Sequence, residues 1–270
     1  VRGLRVLLVV AAVVAQEVRA DQVGVAGDGG EALVGGSAVA GRPQRQDLPP
    51  LLPGVGQGVD PGKGGRAKVA TFLNARRNEE IVFTRNATEA INLVASSWGE
   101  PNIGEGDEIV ISIMEHHSNI VPWHFLRERH GAVIKWAPVD DEGNFLIDEF
   151  EKLLTDRTKL VAITQMSNAL GTIVPVKDVV KLAHARGIPV LIDGSQAAVH
   201  LAIDVQDIDA DFYVFTGHKL YGPTGIGVLY AKHEHLVAMR PYNGGGEMIR
   251  EVSRDWVTYG DPPHKFEAGT

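Results

Sequence analysis

Lys219 lies at a position where a lysine amine can act as a nucleophile. An apolar strand is predicted at Phe212–Phe215, and it is followed by the run TGHK (216–219) and by a glycine-rich loop. Lysine side chains usually keep their ammonium group in water. A lysine held at the end of a buried strand can instead lose its proton and form a Schiff base with a carbonyl compound, of which pyridoxal phosphate (PLP) is the common cofactor. The alternative is an ordinary solvated loop lysine.

A candidate phosphate site follows the predicted strand Glu80–Thr84. The sequence TRNATEAIN (84–92) places small and hydroxyl residues at the start of a predicted helix, Ala87–Trp98. The first amides of a helix are free to bind an anion, and Thr88 can add a hydroxyl donor. Threonine and asparagine are also common N-cap residues, so a simple helix cap remains an alternative.

Two histidines follow the predicted buried strand Glu108–Ile113, in the sequence EHHSNIVPW (115–123). Adjacent histidines can be structural, can bind a metal, or can stack on a flat cofactor ring. No acidic residue or histidine stands four residues from either of them to complete a zinc site. The sequence therefore predicts no metal site and leaves an imidazole of this pair, His116 or His117, as a candidate for stacking.

Two further apolar strands end in polar residues. TQMSN (164–168) closes one strand, and Asn168 either begins a turn or faces a ligand. VLIDGSQAAVH (190–200) places Asp193 at the end of the other, where a carboxylate needs a partner. Asp193 either caps the next helix or pairs with the protonated nitrogen of a cofactor ring.

All these motifs come directly after apolar strands that alternate with amphipathic helices. The predicted helices include Arg66–Ala75, Ala87–Trp98 and His117–His130. Such alternation predicts an α/β domain with a parallel sheet and helices on both faces. Ligands of such sheets bind at the carboxyl ends of the strands. We therefore expect the motifs to meet along one edge of the sheet.

The composition limits the classes of function. A chain of 270 residues can bury the core of one large domain or two smaller ones. A net charge of −8 without basic runs argues against a nucleic-acid partner. The sequence contains no cysteine, so these residues can form no disulfide and supply no thiolate.

Residues 1–65 differ in composition from the rest of the chain. They lack Phe, Trp, Tyr and Ile and contain 14 of the 31 glycines. A segment so poor in large apolar side chains is expected to be atypical, of low complexity and disordered. A signal peptide with its apolar part at Leu4–Ala15, or a shifted reading frame, would also explain it. The expected domain boundary is at residue 66.

From about Arg66 to Thr270 the chain resembles the class V aminotransferase family of fold-type I PLP enzymes, and within it the SufS-type cysteine desulfurases. The resemblance implies a PLP-binding large domain at 66–270, with a mostly parallel sheet of seven strands. It rests on these motifs: TRNATEAINLVASSWG, EHHSNIVPW, VAITQMSNALGTIVPV, LIDGSQAAVH, TGHKLYGPTGIGVLY, GGGEMI and FEAGT.

The resemblance also implies a role for each matching residue. Lys219 would attach PLP and move the Cα proton of the substrate, and His116 would stack on the ring and assist proton transfer. Asp193 would keep the ring nitrogen protonated. The ring oxygen and the phosphate would be held by the remaining candidates, of which the last two come from a partner subunit: Gln196, Asn168, Thr88, Thr216, His218, Gly269 and Thr270.

The activity implied by the resemblance is conversion of L-cysteine to L-alanine and an enzyme persulfide, as a sulfur supply for iron–sulfur cluster assembly. It implies a cytoplasmic homodimer that passes sulfur to an acceptor protein, without nucleic acid, membrane or metal. A selenocysteine lyase, another class V enzyme and a non-catalytic PLP-binding remnant are the alternatives.

The family's persulfide cysteine and its arginine for the substrate carboxylate lie in a C-terminal small domain. The sequence matches the family only up to Thr270 and contains no cysteine. We therefore expect a C-terminally truncated chain that lacks the small domain and is inactive as a fragment.

Overall fold

The computed structural model describes residues 61–269, with side chains from Gly64 onward. The predictions for the signal-like run and for most of the segment 1–65 lie outside the described residues, as does Thr270. The first helix begins at Pro61, five residues before the predicted start at Arg66.

Eight helices are described in this part of the chain. Their bounds are α1 Pro61–Leu73, α2 Ala87–Val94, α3 Val121–His130, α4 Ile147–Leu153, α5 Val176–His184, α6 Ala197–His200, α7 Val205–Ile208 and α8 His233–Ala238. Helix α2 continues through a π turn, Ala95–Gly99, into a last turn at Glu100–Asn102.

Nine strands accompany these helices. Their bounds are β1 Ile81–Thr84, β2 Glu108–Ser112, β3 Val133–Ala137, β4 Thr158–Thr164, β5 Val190–Asp193, β6 Phe212–Thr216, β7 Gly227–Ala231, β8 Ile249–Val252 and β9 Val257–Tyr259. Strands β1 to β7 form one sheet, and β8 and β9 form a separate hairpin that the sequence pattern did not predict.

The main sheet has the order β1-β7-β6-β5-β4-β2-β3. Strands β2 to β6 pair in parallel, which confirms the predicted, mostly parallel sheet of seven strands. Strand β7 is the exception, because it runs antiparallel to both β1 and β6. The connection from β6 to β7, residues 217–226, is shorter than the crossover that a parallel neighbour requires.

Helices cover both faces of the sheet, as predicted. Alternate strand residues belong to two buried clusters: Ile192 and Tyr213 pack with α1 and α5, whereas Leu191 and Val214 pack with α2, α3 and α8. Because side chains alternate along a strand, the two clusters lie on opposite faces.

One predicted helix is divided. The predicted helix His117–His130 consists of a 3₁₀ turn, His117–Asn119, followed by α3, which has Pro122 in its first turn. A proline is tolerated there because the first amides of a helix have no intrahelical acceptor. No helix in the part of the chain described by the structure has the length and apolar character needed to cross a membrane.

Candidate active site

The predicted motifs meet at one edge of the main sheet. The carboxyl ends of β2, β4, β5 and β6 lie together because these strands are parallel. Strand β1 has the same direction as β6, since both are antiparallel to β7, and Thr84 and Thr216 are both register partners of Gly227. The turn that leads into α2 therefore reaches the same edge as the turn that carries Lys219.

A close backbone contact places the start of α2 at this edge. A Cβ atom on Gly227 would lie 2.3 Å from the carbonyl carbon of Asn86, so only glycine allows this approach. The Asn86 side chain caps α2 by accepting a hydrogen bond from the Glu89 amide at 2.8 Å. Thr88 is exposed in the first turn, and its amide donates to no other described residue. Asn86, and not Thr88, is therefore the helix cap, and Thr88 is free to face an anion.

A second hydroxyl lies at the end of β6. Thr216 is buried, and its Oγ1 is 3.0 Å from Nδ1 of the exposed His218. Together with the first amides of α2, these groups form a set of donors of the kind that binds a phosphate.

Asp193 ends β5 beneath this edge and is 4% exposed. Its Oδ1 accepts a hydrogen bond from the Ser195 amide at 2.9 Å. Among the described residues the buried Ser195 hydroxyl has no hydrogen-bond partner. The N-cap of α6 is Gln196, so Asp193 does not cap that helix. A buried carboxylate with one hydrogen bond, and beside it a buried hydroxyl with none among the described residues, favour a polar ligand at this position.

Lys219 lies in a 3₁₀ turn, Gly217–Leu220, that follows β6. The turn is fixed by hydrogen bonds from the Gly217 amide to the Ile226 carbonyl and from the Gly222 amide to the Gly217 carbonyl, both at 2.9 Å. The Lys219 side chain is half-buried, and its Nζ makes no hydrogen bond within residues 64–269. A fixed backbone with a free amine suits a group that must react.

The His116 ring lies between two adjoining cavities. One, of about 330 Å³, is also lined by Asn168, and the other, of about 340 Å³, is also lined by Thr88. The ring is exposed, and its Nδ1 is 2.8 Å from the Ser118 hydroxyl. Three predicted site residues, from three separate motifs, therefore line these two cavities.

Of the predicted residues that the structure describes, only His116, Asn168 and Thr88 line these two cavities, and Gln196 and Gly269 lie elsewhere. Gln196 is half-buried at the start of α6, beyond Asp193. Gly269 is exposed, and its amide donates to the Gly246 carbonyl at 3.3 Å. No described hydrogen bond joins Gly269 to the other candidate residues, and Thr270 lies outside the described residues.

Sequence reasoning missed one buried acid in this region. Glu115 accepts hydrogen bonds from Ser112 Oγ, Asn119 Nδ2 and the Thr164 amide, at 2.6, 2.7 and 2.9 Å. Burial raises the pKa of Glu115 to about 7, although these three hydrogen bonds oppose the shift. The available signal was the glutamate in EHHSNIVPW, which closely follows a buried strand, where a carboxylate needs donors.

Comparison with known proteins identifies the family. Residues 62–270 match the model of the family described as aminotransferase class-V. The chain belongs to the class V aminotransferase family. It is also 55% identical over 212 residues to a cysteine desulfurase of Synechococcus elongatus, an alignment that covers 78% of this chain and 34% of that protein.

Solved structures share the fold. Cysteine desulfurase CsdA from Escherichia coli, in an S-sulfonic acid form, matches with a TM-score of 0.76 and 46% identity, covering 77% of this chain and 52% of CsdA. A C-DES mutant with glycine covalently linked to its PLP cofactor matches with a TM-score of 0.69 and 25% identity, covering 76% of this chain and 54% of C-DES. The chain thus spans about half of these solved chains, and about a third of the Synechococcus protein.

Pyridoxal phosphate is the cofactor of this family, and the residues at the sheet edge fit it. The α2 amides, Thr88 and Thr216 suit its phosphate, the free Lys219 amine suits its aldehyde, and the buried Asp193 carboxylate suits its ring nitrogen. The buried Ser195 hydroxyl without a partner indicates that the protein side of the site is not complete by itself.

Proposed function

We propose that these residues form the PLP-binding part of a cysteine desulfurase that converts L-cysteine to L-alanine and an enzyme persulfide. The observation that carries the proposal is the pairing of neighbouring strand ends: Asp193 closes β5, and Lys219 follows β6 with a free amine. The 55% identity to a protein named cysteine desulfurase supports the choice of substrate.

In this proposal the bound cofactor supplies an electron-withdrawing ring that acidifies the Cα–H bond of an attached amino acid. Lys219 Nζ holds the cofactor and afterwards moves the Cα proton. The Asp193 carboxylate keeps a proton on the ring nitrogen, and burial strengthens that interaction because little water competes for it. The Thr88 and Thr216 hydroxyls and the His218 ring donate to the phosphate.

The other candidate residues complete the proposed site. His116 stacks on the ring and assists proton transfer, and Asn168 and Gln196 hydrogen-bond the ring oxygen. Gly269 and Thr270 reach the phosphate of a second subunit, which requires a homodimer. The contacts of Glu267 support this role because they fix the segment that precedes Gly269. Its Oε1 accepts a hydrogen bond from the Phe83 amide at 2.6 Å, and its Oε2 accepts one from Arg66 Nη2 at 2.8 Å.

The thiolate that receives the sulfur must come from outside these 270 residues, because they contain no cysteine. The SufS-type branch, an acceptor protein, a role in iron–sulfur cluster assembly and the cytoplasm stay predictions from the sequence motifs. Selenocysteine in place of cysteine is the alternative substrate, and a non-catalytic PLP-binding remnant is the alternative function.

Trapping the cofactor tests the proposal. The chain is incubated with PLP and reduced with borohydride, and peptide mass spectrometry should find the adduct on Lys219. An adduct on any other lysine would contradict the assignment of the site.

An activity assay then distinguishes a cysteine desulfurase from a non-catalytic PLP-binding remnant. Alanine formation from L-cysteine and from L-selenocysteine is measured with the 270-residue chain and with a version extended by a desulfurase C-terminal domain. We expect alanine only from the extended version. Alanine from the 270 residues alone would refute the need for an external thiolate, and no product from either version, with the adduct present, would favour the remnant.

A further inference from the structure

A buried carboxylate directly precedes His116 in the chain. Glu115 is 8% exposed and lies just beyond the end of β2, where the chain leaves the sheet. Its Oε1 accepts from Ser112 Oγ and the Thr164 amide, and its Oε2 accepts from Asn119 Nδ2. Both carboxylate oxygens therefore have donors from the protein, and the side chain is held in one position.

The sheet itself explains why an acceptor is needed there. The register of β2 and β4 pairs Ile111 with Ala162, and β2 ends one residue later. The Thr164 amide lies past the end of this ladder, so β2 offers it no carbonyl. Glu115 Oε1 supplies the acceptor, and a buried amide without one would be costly. The carboxylate thus closes the end of the β2–β4 pair.

The same hydrogen bonds fix the backbone on both sides of His116. Glu115 is anchored immediately before it. Asn119, whose side chain binds Glu115, donates its own amide to the His116 carbonyl at 2.7 Å. The Trp123 indole then donates to Asn119 Oδ1 at 3.1 Å, which links the turn to α3. The His116 ring, by contrast, is exposed, and its hydrogen bonds within the described residues are to Ser118 alone.

We propose that Glu115 is a positioning residue that holds His116 in place over the cofactor, a role that rests on the proposed function. Because the hydrogen bonds and the ring–ring contact of His116 within the described residues are with Ser118 and His117 of its own turn, the orientation of the ring depends on the backbone that Glu115 anchors. Both carboxylate oxygens of Glu115 are engaged by donors from the protein, so Glu115 is not assigned a proton transfer in the reaction. It acts through the position of its neighbour.

The strand itself supplies a matched control. Glu108 lies at the other end of β2, is also 8% exposed, and accepts from Thr155 Oγ1 at 2.6 Å and from Lys135 Nζ at 3.1 Å. Glu115→Gln and Glu108→Gln each replace a buried carboxylate by an amide, whose NH₂ group must then face a donor. Both variants are expected to lose stability, but only the first should disturb His116.

The readout is the NMR spectrum of the histidine rings, recorded on the full 270-residue chain without cofactor. The His116 signals are assigned by their loss in His116→Gln. We expect Glu115→Gln to shift or broaden these signals, and Glu108→Gln to leave them in place. With PLP added, Glu115→Gln should bind about tenfold more weakly, by analogy with the loss of metal affinity when a hydrogen bond behind a metal ligand is removed, and Glu108→Gln should bind like the parent protein.

Unchanged His116 signals in Glu115→Gln, or equal shifts in both variants, would overturn the proposal. Ser112→Ala covers the case in which Glu115→Gln does not fold, because it removes one donor and keeps the carboxylate. It should shift the His116 signals less and in the same direction, and no shift would again overturn the proposal. A parent protein that binds no PLP would contradict the proposed function alone, since the histidine spectra need no cofactor.

Discussion

Two neighbouring strands each bury an aspartate, at opposite edges of the sheet. In the part of the chain that the structure describes, the protein surrounds only one of the two carboxylates with hydrogen-bond and charge partners. Asp211, at the start of β6, accepts from the Val190 amide at 2.8 Å and is surrounded by three cationic or ionisable groups: His184 at 2.7 Å, Lys232 at 3.0 Å and His235 at 3.3 Å. Asp193, at the end of β5, has a single hydrogen bond, from the Ser195 amide, within the described residues.

The two sites therefore differ in what they contribute. Burial alone would raise the pKa of Asp211, but the hydrogen bonds from His184 and His235 and the charge of Lys232 outweigh it and lower the pKa well below its usual range. A carboxylate with all its partners in the protein stabilises the fold and has nothing left to bind. A buried carboxylate with one partner costs stability unless a ligand supplies the others. For these two aspartates, the number of hydrogen-bond partners supplied by the protein distinguishes the proposed binding edge from the opposite edge.

The largest expected effect is on formation of the PLP adduct, and it should differ between a lysine at the binding edge and a lysine at the Asp211 edge. Lys219→Ala should abolish the covalent PLP adduct completely, because no other amine occupies that turn. Lys232→Gln, at the Asp211 edge, should keep the adduct and lose stability instead. Both are checked by borohydride reduction and intact-protein mass spectrometry, with thermal unfolding in parallel. Loss of the adduct in Lys232→Gln would break the distinction between the two edges.

Replacing each aspartate by asparagine should change the free energy of unfolding by different amounts. Asp211→Asn leaves cations beside a neutral buried amide and should lower the free energy of unfolding by about 3 kcal/mol. Asp193→Asn keeps an oxygen that can accept from the Ser195 amide, so the cofactor-free protein should change by less than about 1 kcal/mol. Urea unfolding without cofactor measures both.

The bound state provides the complementary test of Asp193. In an extended, active protein, Asp193→Asn should still bind PLP but lose most of the rate of Cα deprotonation, since the ring proton is no longer held. Retention of near-full activity would contradict the role of Asp193.

Periodicity predicted the sheet, because buried parallel strands contain runs of consecutive apolar residues, such as residues 109–111 of β2 and 190–192 of β5. It also placed Asp193 and Lys219 at strand ends. It could not predict that β7 inserts antiparallel between β1 and β6, because strand order depends on contacts far apart in sequence. The hydrogen bond from the Thr164 amide to Glu115 was missed for the same reason, since the two residues are 49 apart in sequence.

Gly227 tests how rigid the binding edge is. An added Cβ would lie 2.3 Å from the Asn86 carbonyl carbon, which is backbone and cannot rotate away. Gly227→Ala should therefore cost about 2 kcal/mol of stability, as overpacking does, and should weaken PLP binding by moving the start of α2.

The control for this substitution is Gly244→Ala, because a Cβ there meets no atom within 4 Å. It should change neither stability nor PLP binding appreciably. Urea unfolding and a PLP titration followed by absorbance compare the two variants. Equal behaviour of both would show that the approach of α2 to β7 does not position the phosphate donors.

The smallest effect concerns the pH dependence of the Asp211 edge. The hydrogen bond to Asp211 raises the pKa of His184 above its usual value, although partial burial opposes the shift. A raised pKa in the folded protein means that folding takes up a proton. The resulting stability is fully present below the unfolded pKa of about 6.5 and is lost as the pH rises through the folded pKa.

The stability difference between the parent and His184→Gln, on the order of 1 kcal/mol, should therefore be larger at pH 5.5 than at pH 9. Urea unfolding at the two pH values measures it. The pH-dependent part should shrink when both proteins carry Asp211→Asn, and the contact between His184 Nδ1 and Asp209 at 3.0 Å should retain the remainder. A difference that is equal at the two pH values would mean that His184 stabilises this edge as a neutral hydrogen-bond donor, not as a cation.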